Sequence, residues 1–121
     1  MNSISRRAWT DAAADFLHAN YRAGEGILMA TGTSDVSGIL CRARIPLRES
    51  LHMGNGPAWY ASTTRPDLLH QQLWALAQEG DFVDRAMQTF GRQSYSVAQE
   101  IRQAGAPALR IYRRRDATAE K

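Results

Sequence analysis

Three times along this chain an apolar run ends in a small glycine-bearing turn that leads into a helix start: Ile27 to Asp35, His52 to Pro57 and Trp74 to Val83. This is the punctuation of a parallel sheet, because a helix has to carry the chain back before the next parallel strand can begin. It also gathers the three turns along the carboxyl edge of the strands, where open α/β sheets hold their ligands. The expected fold is a single α/β domain with a mostly parallel central sheet, flanking helices and a C-terminal antiparallel hairpin. At 121 residues the chain fits one domain with a core of its own. The expected organisation is an N-terminal extension over 1–8, the domain over 9–115 and a charged tail over 116–121.

Individual segments fill this outline. Trp9, Ala13, Phe16, Leu17 and Tyr21 share a helical face, with Thr10 as N-cap and Gly24 as the left-handed stop. Ile27, Leu28, Met29 and Ala30 form an unbroken apolar run, as expected for a strand covered on both faces. A second helix, capped at Thr33, Ser34 or Asp35, carries the stripe Val36, Ile39, Leu40 and Ala43 and is ended by Pro46. His52 and Met53 run as a strand edge into Gly54-Asn55-Gly56, and Pro57 starts a third helix bearing Trp59 and Tyr60. Leu73 to Ala77 is the clearest later strand, and Asp81 caps a helix over 82–90. Two alternating runs, Tyr95 to Ile101 and Leu109 to Arg113, read as an antiparallel hairpin that closes the sheet edge.

Composition excludes several functions. Fifteen basic against twelve acidic residues give a net charge of +3, spread along the chain except at Arg113, Arg114 and Arg115, so no nucleic-acid partner is expected. The three arginines read as a solvated end that blunts an edge strand. Cys41 is alone, so no intrachain disulfide can form, and its place on an apolar helix face predicts a core residue. No apolar stretch approaches the ~20 residues that span a bilayer. Met1 to Arg7 lacks the apolar segment of a secretion signal, so the chain is expected to be cytoplasmic or a piece of something longer.

The candidate ligand-binding residues are those of the turns: Gly32, Thr33, Ser34 and Asp35; His52; Gly54, Asn55 and Gly56; and Asp81. The first group places backbone N–H groups at a helix start, where an anion can sit, although capping is the commoner reason for such residues. It matches neither G-x-G-x-x-G nor a phosphate loop with lysine. His18, His52 and His70 have no metal-ligand spacing, so no metal or cofactor is expected. Asp81 and Asp84, three apart across a helix start, are explained by capping and the helix dipole. No catalytic residue is assigned. Trp9, Trp59 and Trp74 read as core or rim packing.

In order, Ile27-Leu28-Met29 and its following turn, Arg44-Ile45-Pro46-Leu47-Arg48, His52-Met53-Gly54-Asn55, Trp59, Arg65-Pro66, Glu79 to Asp84, Tyr95-Ser96-Val97 and Arg110 to Arg114 form a recognisable series. It resembles the soluble C-terminal domain of bacterial membrane glycosyltransferases of the dolichyl-phosphate-mannose protein mannosyltransferase type, over roughly Trp9 to Arg114. The resemblance implies an extracytoplasmic domain joined to a membrane domain, with a polyprenyl-phosphate sugar as donor. That family's catalytic carboxylates belong to the membrane part, so no residue here inherits their role. The expected function is therefore a non-catalytic accessory domain that helps recognise donor or acceptor. Its rival is a freestanding Rossmann-like or flavodoxin-like module binding a nucleotide or phosphorylated sugar. A third reading is a small enzyme with His52 and Asp81 as acid and base.

Overall fold

The computed structural model of the chain describes residues 3–29, 34–51, 72–89, 94–103, 105 and 107–115. The elements, in chain order, are helix α1 (Ser3–Asn20), strand β1 (Ile27–Met29), helix α2 (Ser34–Arg42), a 3-10 turn (Leu47–Glu49), β2 (Ser50–Leu51), β3 (Trp74–Gln78), helix α3 (Phe82–Thr89), β4 (Tyr95–Ile101) and β5 (Leu109–Arg114).

The strands form one sheet in the order β2-β1-β3-β5-β4. This corrects the expectation of a mostly parallel sheet: the sheet is mixed, and its longer ladders are antiparallel. β1 pairs in parallel with the two-residue β2 and with β3, over two and three residues, whereas β3–β5 pairs five and β4–β5 six. The hairpin exists, but its second strand enters the sheet and its first strand takes the edge. Burial explains the choice. β5 places Leu109 and Ile111 on one face and Tyr112 on the other, all buried, and so needs cover on both sides. β4 is exposed over 97–100 and tolerates an edge. The alternation read from Tyr95 to Ile101 is also interrupted. Val97 lies opposite Tyr112 and Gln99 opposite Ile111, so Ala98 is a bulge residue and the two halves of β4 turn opposite sides to each face.

Outside the β4 bulge, side chains alternate between two cores. On one face Ile27, Met29, Trp74, Leu76, Leu109 and Ile111 meet Trp9, Ala13 and Leu17 of α1, Ile39 and Leu40 of α2, and Ala43 in the turn after it. On the other, Leu28, Ala75, Ala77 and Tyr112 meet Val83 and Met87 of α3. The domain is thus a mixed sheet between helical layers. Asp11 and Arg42 join α1 to α2 at the surface, and His18 Nδ1 lies 3.3 Å from the Ala43 carbonyl oxygen.

Three local expectations are revised. α1 begins at Ser3, so Thr10 is not its cap but a mid-helix residue, buried beside Trp9. Packing of Trp9 holds the preceding turn in the helix, a tertiary effect that local capping signals do not report. Cys41 is exposed, because Leu40 and Ala43 on either side supply the inward face of α2. α2 stops ahead of Pro46, through a left-handed terminus at Arg44, φ 62°. Ile45 N donates to Leu40 O at 3.0 Å and Arg44 N to Cys41 O at 3.2 Å, the paired bonds of a Schellman motif, and Ile45 and Leu40 share the core. Glycine is the usual residue there. Arg44→Gly is therefore expected to raise stability by about 1 kcal/mol, the cost of holding a side chain in the left-handed region. A chemical-denaturation midpoint unchanged or lowered in this variant would refute that reading of the terminus.

Candidate functional site

β1 has β2 on one side and β3 on the other, all three parallel. The chain leaves the carboxyl end of β1 toward β2 and that of β3 toward α3, so the strand order reverses between β1 and β3. Such a reversal opens a crevice at the carboxyl ends of the strands. Of the residues predicted for this edge, Ser34 and Asp35 form the first turn of α2. Their side chains, and Gly32, Thr33, His52, Gly54, Asn55 and Gly56 altogether, lie outside the described residues. Trp59, Tyr60 and His70 do as well.

Asp81 is described, and it sits where the sequence placed it, at the start of α3. Gly80, at φ 85°, turns the chain out of β3. The Asp81 carboxylate then accepts Asp84 N at 2.8 Å and Gln78 N at 2.9 Å, while its carbonyl accepts Arg85 N at 3.0 Å. It caps the helix and ties the turn back to the strand. Burial pushes its carboxyl above the ordinary value of 3.8, against the pull of those backbone donors, and the charge of Asp84 adds to the rise.

Asp84 is the centre of a larger network that sequence reasoning missed. Only 4% of it is exposed, and Arg110 Nη1 lies 3.0 and 2.9 Å from its two oxygens. Tyr112 OH donates to it at 2.8 Å and Gly80 N at 3.0 Å. Arg110 continues to Glu100 through Nε at 2.8 Å and to Glu79 through Nη2 at 3.2 Å. Burial raises the Asp84 carboxyl, but the donors from Gly80, Tyr112 and Arg110 outweigh it and hold the group below its ordinary value. Burial, with the neighbouring carboxylate, drives the Tyr112 phenol upward. The available sequence signal was the i, i+2 pair Arg110 and Tyr112 on one face of a buried strand, since a guanidinium there requires a carboxylate partner.

The two aspartates therefore respond oppositely to pH. A carboxyl depressed in the folded state contributes stability above its unfolded value of 3.8 and loses it as pH falls through the lower folded value. A raised one contributes below 3.8 and loses that contribution as pH rises through its higher folded value. Urea midpoints measured between pH 2.5 and 6 should fall on the acid side in the parent protein. Asp84→Asn should flatten that acid limb, and Asp81→Asn should remove the opposing loss above pH 3.8. An acid limb of unchanged slope in Asp84→Asn would contradict the assignment.

A second polar cluster closes the amino end of the parallel strands. Tyr21 OH donates to Glu49 Oε1 at 2.6 Å and accepts Gly26 N at 2.9 Å, and Gly24 N reaches the same Glu49 oxygen at 2.9 Å. Glu25 Oε1 accepts Trp74 Nε1 at 3.0 Å. The Arg113 guanidinium lies over the Trp74 ring, 5.1 Å from its centroid, and Phe16 meets that ring edge-on. Arg113 thus covers a core tryptophan, and β5 is not the edge strand the arginine run was read as blunting.

Among the described residues no group of three His, Cys, Asp or Glu is placed to hold a metal, and no helix is long and apolar enough to cross a membrane. The geometry defines the class: an α/β domain whose parallel half has a strand-order reversal at its carboxyl edge. Comparison with known proteins takes this no further, since no family model, no curated protein and no solved structure matches the chain.

Proposed function

We propose that this chain is a non-catalytic recognition domain, accessory to a membrane glycosyltransferase, with the carboxyl edge of β1 and β3 as its contact surface. The observation that carries the recognition role is the β2-β1-β3 order, because open α/β sheets hold their ligands at the carboxyl ends of the strands where the order reverses. The parent enzyme rests on the resemblance of the segments from Trp9 to Arg114. Such a domain lies on the extracytoplasmic face and contacts a polyprenyl-phosphate sugar or its acceptor. An acid or base role for Asp81 is disfavoured, because both its carboxylate oxygens accept backbone N–H groups that hold the turn. The strand-order reversal equally favours a freestanding module for a nucleotide or phosphorylated sugar.

Two measurements separate these. The native reading frame upstream of Met1 should encode a series of apolar segments of ~20 residues if the accessory role is right. A frame without them would overturn it. Thermal shifts with sugar phosphates, nucleotides and a short-chain polyprenyl phosphate test recognition itself. A ligand of the folded state at 100 times its Kd adds about 2.7 kcal/mol. Stabilisation by a nucleotide or sugar phosphate without the membrane segments would establish the freestanding module, and no shift with any of the three would refute the edge as a ligand site.

A further inference from the structure

Folding assembles a positive surface that the sequence carries in three separate pieces. The loop after α1 holds Arg22, the segment between α2 and β2 holds Arg44 and Arg48, and the end of β5 holds Arg113 and Arg114, followed by Arg115. All three pieces lie at the amino end of the parallel strands, because β5 runs antiparallel to β3 and sets Arg113 opposite Trp74. Direct bonds join them. Gly24 N and Tyr21 OH reach Glu49 Oε1 at 2.9 and 2.6 Å, Leu73 N donates to Glu25 O at 3.0 Å, and Arg114 N donates to Leu73 O at 2.8 Å.

The charge at this end does not cancel. Six arginines stand against two carboxylates, Glu25 and Glu49, among the described residues of these loops and strand ends, whereas the whole chain carries only +3. At the opposite end Glu79, Asp84 and Glu100 surround Arg110, so the positive excess of the domain is concentrated on one side of it. Helix dipoles explain part of the pattern: Arg22 and Arg44 follow the carboxyl ends of α1 and α2, where a cation is favourable. They do not explain Arg48, just ahead of β2, or the three arginines that close β5.

We propose that this end docks on an anionic lipid surface, through phosphate headgroups and without insertion into the acyl layer. Planar guanidinium groups suit phosphate, and arginines presented by loops and strand ends at one end of a sheet can meet a surface together. Nucleic acid fits less well. Trp74 is 1% exposed and Tyr21 is tied to Glu49, so neither ring is free to stack on a base, and α1 and α2 stop at this end by their carboxyl termini instead of offering a helix to a groove. Docking of this kind turns the carboxyl edge of β1 and β3 away from the lipid. The inference goes beyond the accessory role and does not depend on it, since a freestanding chain would carry the same surface.

Cosedimentation of the full chain with vesicles tests this, using pure phosphatidylcholine and an equal mixture of phosphatidylcholine and phosphatidylglycerol. The chain should bind the mixed vesicles, leave the neutral ones, and be released at about 1 M salt, where charges are screened within about 3 Å. Arg48→Gln should weaken binding roughly 5-fold, the share of one basic residue near an anionic surface, and the triple variant Arg22→Gln/Arg44→Gln/Arg48→Gln roughly 100-fold. Arg102→Gln, an exposed arginine at the other end, should bind like the parent. All four side chains are exposed, so circular dichroism and Tm of each variant should match the parent. Equal binding to both vesicles, a triple variant binding like the parent, a loss in Arg102→Gln as large as in Arg48→Gln, or tighter binding to duplex DNA or RNA than to the mixed vesicles at the same salt would each overturn the proposal.

Discussion

Replacing Asp84 with alanine is expected to lower the unfolding free energy by about 3 kcal/mol. Removing one partner of a buried ion pair costs about 3–5 kcal/mol, because the remaining charge stays desolvated. Arg110 retains Glu100 at 2.8 Å and Glu79 at 3.2 Å, which argues for the low end of that range. Two further groups lose their acceptor, Tyr112 OH and Gly80 N, and each is costly to leave unpaired. Asp84→Asn keeps the shape and one carbonyl acceptor and should cost less than Asp84→Ala. Tyr112→Phe removes only the donor and should cost about 1 kcal/mol. Urea denaturation of the two single variants and the double variant gives the coupling directly, and non-additivity above about 0.5 kcal/mol is expected for groups in contact. An Asp84→Ala protein within 1 kcal/mol of the parent would show that the network does not hold the β3–α3 turn.

That turn shows how far residues alone can be read. Asp81 as the cap of α3 was legible because capping is local: both donors to its carboxylate, Asp84 N and Gln78 N, are three residues away, within reach of a short side chain. The strands at Ile27–Met29 and Trp74–Gln78 were legible for a similar reason, as short apolar runs bounded by turns. The partner of each strand was not. Nothing in the alternation of Leu109 to Arg113 states that β5, and not β4, lies beside β3; burial of both its faces decides this, and burial is a property of the assembled sheet. The same limit applies to Asp84. Its spacing from Asp81 suited a helix dipole, while its real partners, Arg110 and Tyr112, are 26 and 28 residues away. Of the candidate edge, only Asp81 could be compared side chain for side chain, and it serves the fold.

The amino end of the sheet carries the other large effect, and Trp74→Ala is expected to cost about 4 kcal/mol, within the 3–5 kcal/mol seen for large aromatic truncations. Trp74 is 1% exposed and opens β3, between β1 and β5, where Ile27 and Arg113 are its register partners. Truncation leaves a cavity facing Phe16, takes the indole N–H from Glu25 and strips Arg113 of the ring it covers. A domain of ordinary stability has about 5–15 kcal/mol to lose, so this variant should approach partial unfolding at physiological temperature. Trp74→Phe keeps most of the apolar volume and should recover more than half of the loss, the remainder being the Glu25 bond and residual space. Arg113→Ala, by contrast, should cost only about 1 kcal/mol, the scale of a partly exposed cation–π contact. The expected order in denaturant midpoint is parent, Arg113→Ala, Trp74→Phe, Trp74→Ala. If Trp74→Ala instead unfolds within 1 kcal/mol of the parent, the cluster of Tyr21, Glu25, Glu49 and Trp74 is not the anchor of the sheet's amino end.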